Sequence, residues 1–457
     1  MDDINNSANP STDVRQNGSE EVIIDVLDDH WVPIDLRNIH KKAYTPQVIS
    51  IGSLHHGKGK YELKGMQKQK KRYKHKYIER KGNEKWEEMK FYIKSKEKEI
   101  RNCYEQPSLL KSDPFVDMIL DDAVFIIELF LRNYHKVADF LLEKPRYKNT
   151  IKRDLQLLEN QLPYFVLLEL YRSATNGFDF CRYIGSSSTD PPFLHISCNF
   201  FGYKSYDISK MDGFNVKHFT DLRRYFLIED HPMSKIQDVD LPMSKTQYKV
   251  VDLPCATKLD ASGVRFKLNK NKGALNEDCL LDLNFDNGRK RGLKWSCIKL
   301  QLPFCKKYEL QIPRITVNDR TEPLIRNVMA LEQCHYPKET HVCNYIAFMD
   351  FLINTEKDAD LLIEKGIIVN CLGENKAIAK MFNSFCLQTS TSPSCFFDMA
   401  KELKEHCDSR YHKAKATLKS VYFSNPWKGT GTVVGIIILL LTFVITLYSI
   451  MRFMRTN

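Results

Sequence analysis

The sequence predicts a mainly α-helical protein: a large helical domain with a small β-strand insert, followed by one C-terminal transmembrane helix. Three observations predict it. Phe115 to Asn133 and Ile151 to Arg172 read as strongly apolar helices, and residues 320–423 return to helical patterning. Residues 255–318 instead alternate and are rich in turns, with Leu281 to Phe285 and Leu310 to Val317 reading as short strands. Residues 429–451 carry no charged side chain. At 1.5 Å per residue, about 20 such residues cross a hydrocarbon core of about 30 Å.

Along the chain, residues 1–28 form an acidic, polar tail with no apolar signal segment and read as disordered. Residues 29–425 read as the globular domain. It opens at 30–57 as an extended segment punctuated by Pro33, Pro46, Gly52 and Gly57. Residues 60–106 read as one long charged helix. Pro163 should kink or split the helix that contains it. Loop insertions fall near 230–254, where Pro232-Met233-Ser234-Lys235 returns as Pro242-Met243-Ser244-Lys245, and near 289–307. The transmembrane helix is expected at 430–451, with Val433 to Ile450 as its core, and 452–457 form a short basic tail.

Trp427 and Tyr448 lie near the ends of the apolar stretch, where amphipathic rings prefer a membrane interface. Lysines at 413, 415, 419 and 428 precede it and Arg452 and Arg455 follow. That bias, with no N-terminal signal, places the body in the cytosol. The expected location is a single-pass anchor, at the plasma membrane in preference to the endoplasmic reticulum. The 13 cysteines are odd in number and include no CxxC, so they read as reduced and mostly buried.

Several clusters were weighed for chemistry. Glu128 is a carboxylate in an apolar run, and a buried one wants an Arg or Lys partner. Asp154, Glu159, Asn160 and Gln161 sit on the next apolar stretch and are candidates to join it in a polar network. The same carboxylates are the only basis for the alternative of a membrane-bound enzyme. Cys334, His335, His341 and Cys343 place four N/S donors within ten residues, yet their spacing fits no zinc-finger pattern. From Lys58 to Arg101 there are 17 Lys or Arg against 7 Asp or Glu. Interleaved glutamates favour i,i+4 pairing on a solvated helix, so nucleic acid is disfavoured, and binding to acidic lipid headgroups or to an acidic partner is the better functional alternative. No Walker A, GxSxG, GxGxxG, HExxH or kinase set occurs. No cofactor and no catalytic residue is expected. The expected partners are the bilayer, through the C-terminal helix, and an unidentified protein.

Six stretches together resemble a plant family called domain of unknown function 247. They are Trp31-Val32-Pro33 through Ala43-Tyr44-Thr45-Pro46 to His55-His56-Gly57, Asp122 to Leu129, Arg153 to Leu167, Ala261 to Phe266, Thr321 to Cys334, and Tyr422 to Trp427. Ser53, Ala123 and Val124 depart from the family pattern. The resemblance implies a C-terminal span and no established enzymatic activity. It also implies a recognition or signalling role, since some grass members are implicated in self-recognition at pollination. It carries over no catalytic residue.

Overall fold

Apolar side chains in the computed structural model gather into two successive cores, one spanning residues 49–226 and the other 227–403, with a small third cluster at their seam. The structure describes residues 32–57, 61–104, 108–175, 191–203, 215–228, 252–269, 281–286, 308–389, 394–409 and 426–456. Element numbers run over those residues alone. The 1–28 tail, the 289–307 insertion and residues 229–251 of the repeat-bearing loop lie outside them.

The first core is built around α5, Ser112–Tyr134. Almost every residue from Phe115 to Arg132 is buried, and only the stripe of Asp113, Asp117 and Asp121 turns outward to the lysines of α2 and α3. Around it pack α2 (Tyr61–Lys81), α3 (Asn83–Ser95), α8 (Tyr164–Thr175) and α9 (Phe193–Phe201). On α2, Met66, Lys70, Tyr73 and Tyr77 recur at helical spacing and face inward; Trp86, Met89 and Ile93 do so on α3.

Local chemistry sets the breaks. The charged run expected as one helix is three: α2, α3 and α4 (Glu97–Asn102). Gly82 interrupts the first pair with φ of 88°, a conformation that costs glycine nothing. Pro163 follows a full split: α7 (Pro145–Asp154) ends, residues 155–163 turn irregularly, and α8 begins at Tyr164. The opening segment, expected to be extended, contains α1 (Ile34–Ile39) and a 3₁₀ turn at Lys41–Ala43. Pro33 caps α1, just outside its first turn, where a missing N–H leaves no bond unmade. The small α6 spans Phe140–Glu143.

The second core is mixed. Helix α10 (Phe219–Ile228), whose Phe219, Leu222 and Phe226 pack in the first core, and α11 (Ala256–Ser262) lead into a three-stranded sheet of order β1-β3-β2. Strand β1 (Val264–Leu268) pairs in parallel with β3 (Tyr308–Ile312), and β2 (Asn284–Asp286) is antiparallel to β3. A second, two-stranded sheet pairs β4 (Ile315–Val317) in parallel with β5 (Ile368–Asn370), so a strand lies within the region expected to be helical throughout. Helices α12 (Thr321–His335), α13 (His341–Leu352), α14 (Glu356–Glu364), α15 (Asn375–Phe385) and α16 (Phe397–Asp408) complete it.

The body is thus mainly helical, but the membrane expectation needs correction. The last helix, α17, runs Pro426–Thr456. Among the described residues no helix is long and apolar enough to cross a membrane. The transmembrane helix at Val433 to Ile450, the single-pass location and the bilayer as partner fall with that finding. The apolar side chains of α17 stand exposed, Leu439 at 70%.

Candidate functional site

The most conspicuous polar feature lies at the junction of α7 with the opening segment. Asp154 closes α7, and one of its carboxylate oxygens accepts hydrogen bonds from three successive backbone amides, Gln47 (2.9 Å), Val48 (2.7 Å) and Ile49 (3.1 Å). The other oxygen accepts from Arg153 at 2.7 Å. Asn160 accepts from the Ile51 amide (2.7 Å) and donates to the carbonyls of Ile49 (3.0 Å) and Asp154 (2.8 Å). Gln161 donates to the carbonyls of Leu155 and Leu157 and accepts from the Phe219 amide. Glu159 pairs with Arg37 and lies 3.6 Å from the His55 ring nitrogen. Glu128 is held elsewhere, by a two-pronged pair with Arg80 and by Arg132 at 3.8 Å.

These groups share one task. Irregular backbone buried against a core has N–H and C=O groups with no ladder to join, and each left unmade costs about 1–3 kcal/mol. Side chains of residues 154–161 supply the missing partners for 47–51 and for their own turn. Burial pushes the Asp154 carboxyl above its ordinary range, against the opposing pull of Arg153 and the amides of Val48 and Ile49.

The structure adds residues that sequence reasoning missed. Asp122 on α5 accepts from the Gly52 amide at 2.8 Å and pairs with Lys70, which also donates to the Ser50 carbonyl. Gly52 has φ of 70°, and a Cβ there would meet the Gln161 carbonyl oxygen at 2.7 Å. Asn327 on α12 accepts from the Leu158 amide (2.7 Å) and donates to the Ala43 and Pro323 carbonyls. Glu332 accepts from Arg224 (3.1 Å) and from the amides of Val342 and Cys343. Asp358 accepts from Thr257 and Thr355, capping α14. A signal was available for Asp122 and Asn327: a polar residue inside an apolar helical run, as Asn327 sits among Ile325, Val328 and Met329.

The four thiol and imidazole candidates do not converge. Cys334 is exposed near the end of α12, and His335 ends that helix. His341 begins α13, while the Cys343 thiol is buried beside the Met329 carbonyl and raised well above its usual range by burial. No group of residues able to hold a metal ion occurs among the described residues.

On the surface, much of the basic run is neutralised locally. Lys74, Lys90 and Lys94 pair with Asp121, Asp117 and Asp113 of α5, and Lys85 and Lys96 with Glu88 and Glu99. Lys71 and Lys76 have no carboxylate partner among the described residues. With Arg72, His75 and Phe140 they line an open groove of about 650 Å³ between α2 and α6, where Glu79 pairs with His75 and Asp139 is held by Tyr73 and Arg132. Phe140 is 52% exposed, with the Lys144 amine 4.1 Å from its ring centroid and the Tyr147 ring at 5.8 Å.

Comparison with known proteins supplies relatives but no activity. The chain is 25% identical to the UPF0481 protein At3g47200 of Arabidopsis thaliana over 445 residues, covering 93% of this chain and 86% of that one. It is 22% identical to the putative UPF0481 protein At3g02645 of the same plant, over 98% and 95% of the two chains. No solved structure matches. The family model DUF247, described as a plant protein of unknown function, matches residues 30–441, the span that contains both cores and the clamps between them, and the chain therefore belongs to that family.

Proposed function

We propose that this chain is a protein-recognition component that binds an acidic partner protein in the groove between α2 and α6. The observation that carries the reading is the composition of that groove: unpaired Lys71 and Lys76 beside the exposed, cation-capped Phe140. Aromatic and basic side chains together are characteristic of interface anchors, and a patch in which Lys71, Arg72 and Lys76 outnumber Glu79 and Asp139 steers and selects a negative partner. A long basic track for nucleic acid fits less well, because acids of α3 and α5 pair with Lys74, Lys85, Lys90 and Lys94 and so interrupt the run.

The enzyme alternative loses its residues. Glu128, Asp154 and Glu159 are buried and each is engaged by arginine, with Asp154 also holding three amides. A general acid or base must reach a substrate proton, and these do not line a described cavity.

The test is comparative affinity capture with the full chain and a Lys71→Glu/Lys76→Glu variant of unchanged melting temperature. An acidic protein retained by the wild type, released by salt and absent from the variant eluate is the expected result. Identical retained sets would overturn the reading.

A further inference from the structure

A second positive site lies away from that groove, where the two cores meet. A cavity of about 110 Å³ is walled by the last turn of α7, the end of α9, α10, and the turn from β4 into α12. Lys152, Arg153, Arg223 and Arg320 line it, and no Asp or Glu does. Arg153 is already matched by Asp154. Lys152 is not matched: among the described residues no carboxylate pairs with it, and the nearest aromatic ring, Phe200, is 5.6 Å away. Arg320 is held to the rim by Asn149 at 3.3 Å. Arg320 is also the N-cap of the 15-residue α12, whose first residue, Thr321, is on the cavity wall, so the positive end of that helix borders the same space.

A half-buried amine facing like charges is unfavourable unless something neutralises it. Burial, followed by Lys148 and Arg320, brings the Lys152 amine down to about 8, as a site without its counter-ion would be. The cavity is too small for a nucleotide or a peptide and large enough for a tetrahedral oxyanion. Threonine and asparagine at 316, 318 and 321 add polar groups to its wall. We propose that this cavity binds a compact dianionic oxyanion, a phosphate ion or the terminal phosphoryl group of a small monoester, between Lys152 and Arg320 at the seam of the two cores.

The binding would be electrostatic, with no bond made or broken. Because α7 and α10 belong to one side of the seam and β4 and α12 to the other, the anion would also tie the two cores together.

The experiment is thermal unfolding of the full chain at pH 7 in chloride, inorganic phosphate or glycerol 3-phosphate at equal ionic strength, with calorimetric titration of inorganic phosphate. The expected result is a saturable rise in melting temperature of about 2 °C or more in phosphate over chloride. Lys152→Met should melt no lower than wild type in chloride, because it removes an uncompensated charge, and should lose the phosphate-dependent rise. Arg320→Gln should weaken titrated binding about tenfold or more, one charge-assisted bond being worth about that factor. A rise with both phosphates assigns the site to the phosphoryl group of either source, and a rise with inorganic phosphate alone assigns it to the free ion. Equal melting in chloride and both phosphates, or an undiminished rise in Lys152→Met, would overturn the proposal.

Discussion

Asp154 illustrates how much one buried carboxylate can hold. Removing it leaves Arg153 and three amides without their acceptor. Asp154→Ala should therefore destabilise the fold by about 3–5 kcal/mol in denaturant unfolding; a loss below about 1 kcal/mol would show that water replaces the carboxylate. Asp358 gives a prediction in pH. Burial pushes its carboxyl up, but hydrogen bonds from Thr257 and Thr355 outweigh burial and hold it below the ordinary range. A lowered folded value contributes stability that is present in full above the unfolded value of about 4 and is lost as pH falls from there through the lower folded value. Wild type should lose stability across that acid window faster than Asp358→Asn, and parallel acid-unfolding curves would contradict the assignment. At this scale the sequence was informative about kind and silent about partner. Glu128 asked for a cation, but nothing in periodicity points to Arg80, 48 residues earlier. Asn327 could be noticed as a polar intruder, and its bond to the Pro323 carbonyl one turn back is local, yet its acceptor at Ala43 and its donor at Leu158 are set by tertiary packing alone.

Elements were legible where a helix is long and largely apolar, as in α5, and less so at their ends. Pro163 announced a break because it has no N–H to donate, and the chain does separate α7 from α8. The α2–α3 break at Gly82 was missed, since one glycine in a charged run is compatible with a continuous helix. Strand β5 was missed because Ile367-Ile368-Val369 is too short to show a period; only its parallel pairing with β4 makes it a strand. Two of the positive-φ glycines, Gly82 and Gly52, should respond differently. A Cβ at Gly82 meets nothing within 4 Å, so Gly82→Ala should cost only backbone strain, about 1–2 kcal/mol. At Gly52 the strain is joined by a 2.7 Å approach to the Gln161 carbonyl, so Gly52→Ala should cost several-fold more in the same denaturant titration. Equal losses at the two positions would mean the opening segment yields easily.

At the scale of the molecule, two apolar cores are joined through buried polar groups. The ion pair of Arg224 with Glu332, the Tyr336 hydroxyl donating to Asp221 and the Asn327 clamp all link elements of the two cores. Glu332→Ala leaves Arg224 and two amides unmatched, and about 3–5 kcal/mol should be lost. Calorimetry should then show the single unfolding transition of the wild type broaden or divide, whereas an unchanged, merely shifted peak would show that apolar contact at the seam suffices. This two-core arrangement is not legible in the chain's composition, which does not change between residues 226 and 227 where one core gives way to the other.

The bond from Asn327 to the Ala43 carbonyl closes a loop of 284 residues. A ribosome adding about 5–20 residues per second would release the first partner roughly 15–60 s before the second. During that interval Val32, Leu36 and Tyr44 lack the α12 surface they later cover. The nascent N-terminal half would have to wait in the company of chaperones, and translation speed past α12 would set how long that exposure lasts.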